Sequence, residues 1–225
     1  MRANLFQTSI GKKALMAVSG LALVGFVIMH LLGNLQFFQG PEAINAYAVK
    51  LRHLGPLLWV ARGVLLLALI VHVRTSIQVS VENRRARGVA YAAYQPGVTG
   101  PAARSMLLTG LLLLSYIVYH LLHFTFGVTN PAISHAHDAL GRHDVYRMVV
   151  LSFQQLPIAV TYVVAMALLF LHLHHGIGST FQTLGLNSER GIELTEQIGR
   201  ALALLLFFGY MSIPVAIQMG LLRAP

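Results

Sequence analysis

Four histidines, His30, His72, His120 and His172, each sit inside a separate membrane-length stretch of apolar sequence. An imidazole in hydrocarbon is costly, so one that stays there marks a functional site. Neutral imidazole is also the commonest side-chain ligand for transition metals. Four such groups, one per helix, could hold two metal centres between helices, provided that their depths match in pairs.

The elements that must position them are five apolar segments, at about 13–37, 56–80, 104–126, 157–181 and 198–221. Each approaches or exceeds the ~20 residues needed to cross a hydrocarbon core. They are rich in Leu, Ala and Val and lack period-two alternation, which excludes barrel strands. The first is too long for the apolar core of a signal peptide and no small-x-small cleavage pattern follows, so it reads as a retained span. The expected fold is all-α and polytopic: a single membrane domain over 1–225, with four helices around the histidines and a fifth beside them. Pro214 is expected to kink the last span.

Loop charge orients the spans. Arg2, Lys12 and Lys13 precede the first, and Arg84, Arg85, Arg87 and Arg104 fill the second loop. Arg190 and Arg200 lie in the fourth loop, diluted by Glu189, Glu193 and Glu196, whereas the first and third hold Lys50, Arg52, Arg142 and Arg147. This excess predicts a cytoplasmic N-terminus. At 1.5 Å rise per residue, His30 and His120 then lie roughly 25 and 24 Å above the inner boundary, and His72 and His172 about 18 and 16 Å above it. Two depth-matched pairs, His30 with His120 and His72 with His172, are what two bis-histidine haems require, since each iron takes axial imidazoles from opposite ring faces.

Other residues bear on this reading. His123 and His175 lie one turn beyond His120 and His172, on nearly the same helix faces, and are candidate haem contacts or substitute ligands. Gly20 and Gly110 lie ten residues before His30 and His120, at the level of the deeper pair. A porphyrin could approach the backbone there, although small-residue helix packing explains them equally. His53, His135, His137 and His143 fall in the outer loops.

Composition narrows the class. The chain has 225 residues, of which 56% are hydrophobic and 10% charged. A soluble domain carries about 25% charge, so lipid is the expected solvent. The net charge of +9 sits largely between the spans and suits lipid headgroups, not nucleic acid. With no cysteine, disulfides, cysteine-ligated iron–sulfur clusters and covalently attached haem are excluded. The eight Met are scattered singly and read as packing residues.

Three segments carry a resemblance: MHLLGNLQFFQGPEAINAYA at the end of span one, YHLLHFT at the end of span three, and LHLHHGIGSTFQTLGL leaving span four. In this order and spacing the chain resembles the dihaem cytochrome b membrane subunit of succinate dehydrogenases and fumarate reductases, in the form with one five-helix subunit. The resemblance covers nearly the whole chain. It implies two haem b groups, with His30 and His120 ligating the iron farther from the soluble subunits and His72 and His172 the nearer one. It implies a flavoprotein and an iron–sulfur protein as partners on the inner face of a bacterial cytoplasmic membrane, and menaquinone as the substrate of the membrane part. Some members carry a glutamate, linked to proton movement, two residues before the helix-four ligand; Phe170 stands there in this chain.

The expected function is therefore anchoring and electron transfer between an iron–sulfur subunit and quinone, with no flavin chemistry in this chain. Glu42 and His53 are candidate quinone-site residues, and the segments Arg84 to Arg104 and Thr183 to Arg200 are candidate partner surfaces. Two alternatives stand beside this: a haem-b subunit of another quinone-linked oxidoreductase, and a haem-free transporter whose histidines line a proton path.

Overall fold

The computed structural model describes residues 8–86, 101–186 and 189–224; of the side chains in its helices, those of 101–104 and 189–190 are undescribed. Arg2 and Arg87 thus lie outside the described residues, as do the side chains of Arg104, Glu189 and Arg190 and most of the loop between Arg84 and Arg104.

The described chain is all helical. In order it forms α1 (Ser9–Asn34), a 3₁₀ turn (Leu35–Gln39), α2 (Pro41–Arg52), α3 (Pro56–Ala86), α4 (Pro101–His120), a π-turn (Leu121–Thr125), α5 (Pro131–Ser134), α6 (Val145–Phe153), α7 (Leu156–Thr183) and α8 (Glu189–Gln218). Five of these helices are long and apolar enough to cross a membrane, at the five expected places. Leu and Ala, both strong helix formers, are frequent in their interiors. The helices run past the expected apolar limits at several ends: α1 starts at Ser9, α3 reaches Ala86 and α8 starts at Glu189. Lys, Arg, Glu and Gln there continue a helix as readily as Leu does, so hydropathy marks the apolar span and not the helix end. Pro214 lies inside α8.

The helices cluster into two compact units. Among the described residues, one comprises 8–26, 62–86, 101–111, 171–186 and 189–203; the other comprises 27–61, 112–170 and 204–224. In the first unit, Lys12 on α1 pairs with Glu82 on α3. Gly178 of α7 and Glu196 of α8 lie close enough that a Cβ on the glycine would be 3.2 Å from Glu196 Cγ.

The second unit holds the main apolar cluster: Phe37, Ile44, Tyr146, Val150, Phe153, Tyr162, Ile213 and Ile217, among others. Much of it comes from α6, which was expected only as loop. The run VYRMVVLSF is too short to span a bilayer, yet six of its nine residues are buried. Asp144 caps α6 by accepting from Arg147 N–H at 3.0 Å, the usual role of an acidic N-cap. Buried Asn45 of α2 ties this cap in place. Its Nδ2 donates to Asp144 (3.1 Å) and Asp138 (3.3 Å), and its Oδ1 accepts from Tyr146 N–H at 3.0 Å. Arg142 then clamps Glu42 through two bonds of 2.8 and 2.7 Å and Asp138 through one of 2.7 Å. Gly127, at φ +66°, ends the π-turn; a Cβ there would come within 2.6 Å of Ser134 Cβ.

Candidate functional site

The first unit contains His72 on α3 and His172 on α7. Their ring centres are 6.3 Å apart with planes at 71°. His72 Nδ1 lies 3.0 Å from the Met16 carbonyl oxygen. A carbonyl only accepts, so Nδ1 carries the proton and Nε2 keeps its lone pair. Gly20, one turn further along α1, lies against the same ring: a Cβ there would be 3.0 Å from His72 Cε1 and 3.2 Å from Nδ1.

His172 is held in the same way. Its Nδ1 is 3.2 Å from Thr109 Oγ1. The Thr109 hydroxyl donates back to the Ser105 and Met106 carbonyls at 3.0 and 3.1 Å, which leaves its oxygen to accept from His172 Nδ1–H. Gly110 lies beside it, and a Cβ there would be 3.2 Å from His172 Cε1. α1 and α4 thus each supply one acceptor and one glycine to seat an imidazole from another helix. A Cβ at Gly20 would meet the His72 ring and one at Gly110 the His172 ring, so both glycines lie against this pair. His175 lies one turn beyond His172 and is half-buried.

The second unit contains His30 on α1 and His120 at the end of α4, with ring centres 6.0 Å apart and planes at 85°. Tyr210 of α8 packs at 6.2 Å from the His30 ring, and its hydroxyl donates to the Val27 carbonyl at 2.7 Å. Around His120 stand Tyr116, Phe124 and Tyr162 at 5.9, 5.7 and 5.9 Å. The Tyr162 hydroxyl is 3.4 Å from His120 Nδ1 and 3.0 Å from His123 Nδ1. His123 is fully buried and stacks on Phe124 at 4.1 Å. Both rings thus meet Tyr162 of α7, and the His120 ring also lies beside His30.

This aromatic box was missed at the sequence level. A signal for Tyr162 was available: it lies ten residues before His172, the same offset that singles out Gly20 before His30 and Gly110 before His120.

The two spacings can be read chemically. An imidazole nitrogen binds a first-row metal at about 2 Å and lies about 1 Å from its own ring centre, so two axial imidazoles on one metal put their ring centres about 6 Å apart. Both pairs have that separation. Among the described residues, no group of three or more His, Cys, Asp or Glu could hold a bare ion. Two imidazoles suit a metal that brings its own equatorial ligands, and a porphyrin iron is such a metal. Anchored Nδ1–H groups on His72 and His172 add the outer hydrogen bond that metal-bound histidines ordinarily make.

The two candidate quinone residues lie elsewhere in the second unit. Both oxygens of Glu42 are engaged by Arg142, and this hydrogen bonding, with the Arg142 charge, holds the carboxyl below its usual range. His53 closes α2 and lines a shallow surface recess with Val49 and Arg52. On the segments expected to meet soluble partners, Arg84 and Arg85 end α3 and are exposed, as are Glu193, Glu196 and Arg200 on α8.

No protein-family model, curated protein or solved structure matches this chain. The fold and the site define a multi-pass helical membrane protein with two inward-facing histidine pairs.

Proposed function

We propose that this chain is the membrane anchor and electron-carrying subunit of a succinate:quinone oxidoreductase. In this reading it holds two b haems, one on His72 and His172 and one on His30 and His120. The observation that carries the reading is the pair of histidine separations, 6.3 and 6.0 Å, each suited to two axial ligands of one iron. A bound haem supplies a one-electron carrier.

The chain's own residues do the rest. His72 and His172 present Nε2 because Met16 and Thr109 hold their Nδ1–H groups. Gly20 and Gly110 let those rings lie close to α1 and α4. Tyr210 packs on His30, and the aromatic box around His120 excludes water from the other pair. The apolar side chains exposed along the spans, such as Leu57, Val60, Leu67 and Ile70 of α3, meet lipid.

The N-terminus lies on the cytoplasmic side, as loop charge indicates. A flavoprotein and an iron–sulfur protein dock on that side, against the basic end of α3 and the start of α8. Held at these two places, haems would supply a one-electron relay between the iron–sulfur partner and menaquinone. The motifs at the ends of spans one, three and four support this choice of partners and quinone.

A pyridine haemochrome assay on the protein purified with its partners tests the reading, in wild type and with each of His30, His72, His120 and His172 changed to Ala. Two b haems per chain, with one or both lost in every variant, are expected. A wild-type protein without haem, expressed with haem and partners available, would sink the proposal and favour a histidine-lined transporter.

A further inference from the structure

The second histidine pair differs from the first in one respect. In the first, the Nδ1 partners are fixed acceptors: a carbonyl at His72, and at His172 a threonine hydroxyl whose proton is already engaged. At His120 the partner is the Tyr162 hydroxyl, which has one proton and could donate or accept. If that proton pointed at His120 Nδ1, the ring would carry its own proton on Nε2 and could not bind metal there. Something must hold the proton away.

His123 is placed to do so. In a regular helix His120 and His123 would share a face. Here the backbone opens into a π-turn, with Phe126 N–H donating to Leu121 O at 2.9 Å and Val128 N–H to Leu122 O at 2.9 Å. Such single wide turns recur at functional positions in helices. His123 lies within this turn, and its Nδ1 meets the Tyr162 hydroxyl of α7 at 3.0 Å, closer than His120 at 3.4 Å.

We propose that Tyr162 and His123 are positioning residues for His120, forming a one-way hydrogen-bond chain. His120 Nδ1–H donates to Tyr162 Oη, and Tyr162 O–H donates to His123 Nδ1. The chain leaves Nε2 of His120 free for iron and makes it more electron-rich, since cooperative bonds polarise one another. With Nδ1 accepting, His123 carries its proton on Nε2, and that nitrogen is buried with no hydrogen-bond partner among the described residues. His123 is held as an acceptor toward Tyr162 at the expense of a buried donor. This inference rests on the two-haem reading above.

The test uses the wild-type protein and the variants Tyr162→Phe, His123→Leu, His123→Asn and Thr109→Val, each purified with its partners. Haem content is measured first, then the midpoint potentials of the two haems. Loss of an outer hydrogen bond typically weakens a metal site 10- to 100-fold. At the low end, and taken as loss of ferric preference, that is about a 59 mV rise for one electron. Tyr162→Phe and His123→Leu are expected to raise the same midpoint and leave the other in place. Thr109→Val should raise the other one. His123→Asn, whose Oδ1 can accept from Tyr162, should restore the wild-type value. The unshifted haem in each variant reports that the bundle has folded.

Unchanged midpoints in both Tyr162→Phe and His123→Leu would overturn the proposal. So would an equal shift in His123→Asn and His123→Leu, which would mark a packing role. Absence of haem from the wild type would instead defeat the reading on which this one rests.

Discussion

Replacing Gly20 with Ala sets two effects of known sign against each other. Ala is favoured over Gly in a helix interior by about 1 kcal/mol, so α1 should become more stable. The added methyl, however, would stand 3.0 Å from His72 Cε1 and 3.2 Å from Nδ1, where ordinary contact begins at 3.4 Å. The ring must retreat by about half an ångström, and metal-ligand distances tolerate only about 0.2 Å. The same retreat stretches the 3.0 Å bond to the Met16 carbonyl toward the limit at which a hydrogen bond is lost. We expect haem binding at the His72–His172 pair to weaken about 10- to 100-fold, so that the purified protein carries one b haem per chain. Losing that haem removes about 1.4–2.7 kcal/mol of linked stability, more than the helix gains, so thermal unfolding in detergent should fall slightly. Gly25→Ala is the control: nothing lies within 4 Å of a Cβ at that position, so it should keep both haems. The assay is haem per protein by pyridine haemochrome. A Gly20→Ala protein holding two haems with unaltered potentials would refute the argument that the glycine exists to seat His72.

Other outcomes follow from the same geometry. Gly110→Ala should weaken the same haem less, because its methyl would approach His172 Cε1 only to 3.2 Å; equal or greater loss than in Gly20→Ala would count against a steric cause. Asn45→Ala should lower stability by about 2–3 kcal/mol, since it leaves the buried Tyr146 N–H without its acceptor and removes a donor from Asp144; a change under about 0.5 kcal/mol in detergent unfolding would contradict that. Burial pushes the Asp138 carboxyl up, but its hydrogen bonds from Arg142 and Leu140 outweigh this and hold it below its usual range, and Glu42 is lowered as well. A depressed folded pKa contributes stability above the ordinary carboxylate range that is lost as pH falls through the folded value. Hydrogen-exchange protection over residues 136–146, taken relative to the intrinsic rate at each pH, should therefore fall on acidification below about pH 4, and Arg142→Gln should show that lower protection already at neutral pH. If each pair holds a haem as proposed, imidazoles as near to perpendicular as 85° and 71° would donate into different iron orbitals and leave them close in energy. Both ferric haems should then give strongly anisotropic low-spin electron paramagnetic resonance signals; ordinary rhombic signals from both would contradict the ring geometry.

Much of the architecture was legible because its causes are local or additive along the chain. Five uninterrupted apolar runs suffice to specify five long helices, and the 1.5 Å rise paired His30 with His120 and His72 with His172 before any contact was known. The ten-residue offset singled out Gly20 and Gly110 for the same reason. Where the chain leaves the apolar runs, hydropathy was a poorer guide. Helix α6 is only nine residues long, and its burial depends on Phe37 and Ile44, which come from about a hundred residues earlier. The Arg142 clamp on Glu42 likewise joins residues a hundred positions apart.

Sequence alone marked the number and places of the candidate spans and which histidines lie at matching heights along them, since hydropathy and helical rise are properties of the chain itself. It left open where His120 and His123 would each point, because a regular helix puts both on nearly one face. Tertiary structure supplies their partners. His123 meets Tyr162 from α7 and stacks on Phe124, and the His120 ring stands 6.0 Å from His30. Ring orientation and the nitrogen left free to bind depend on hydrogen-bond partners from other helices, such as Met16 for His72 and Thr109 for His172, and these exist only once the helices have packed.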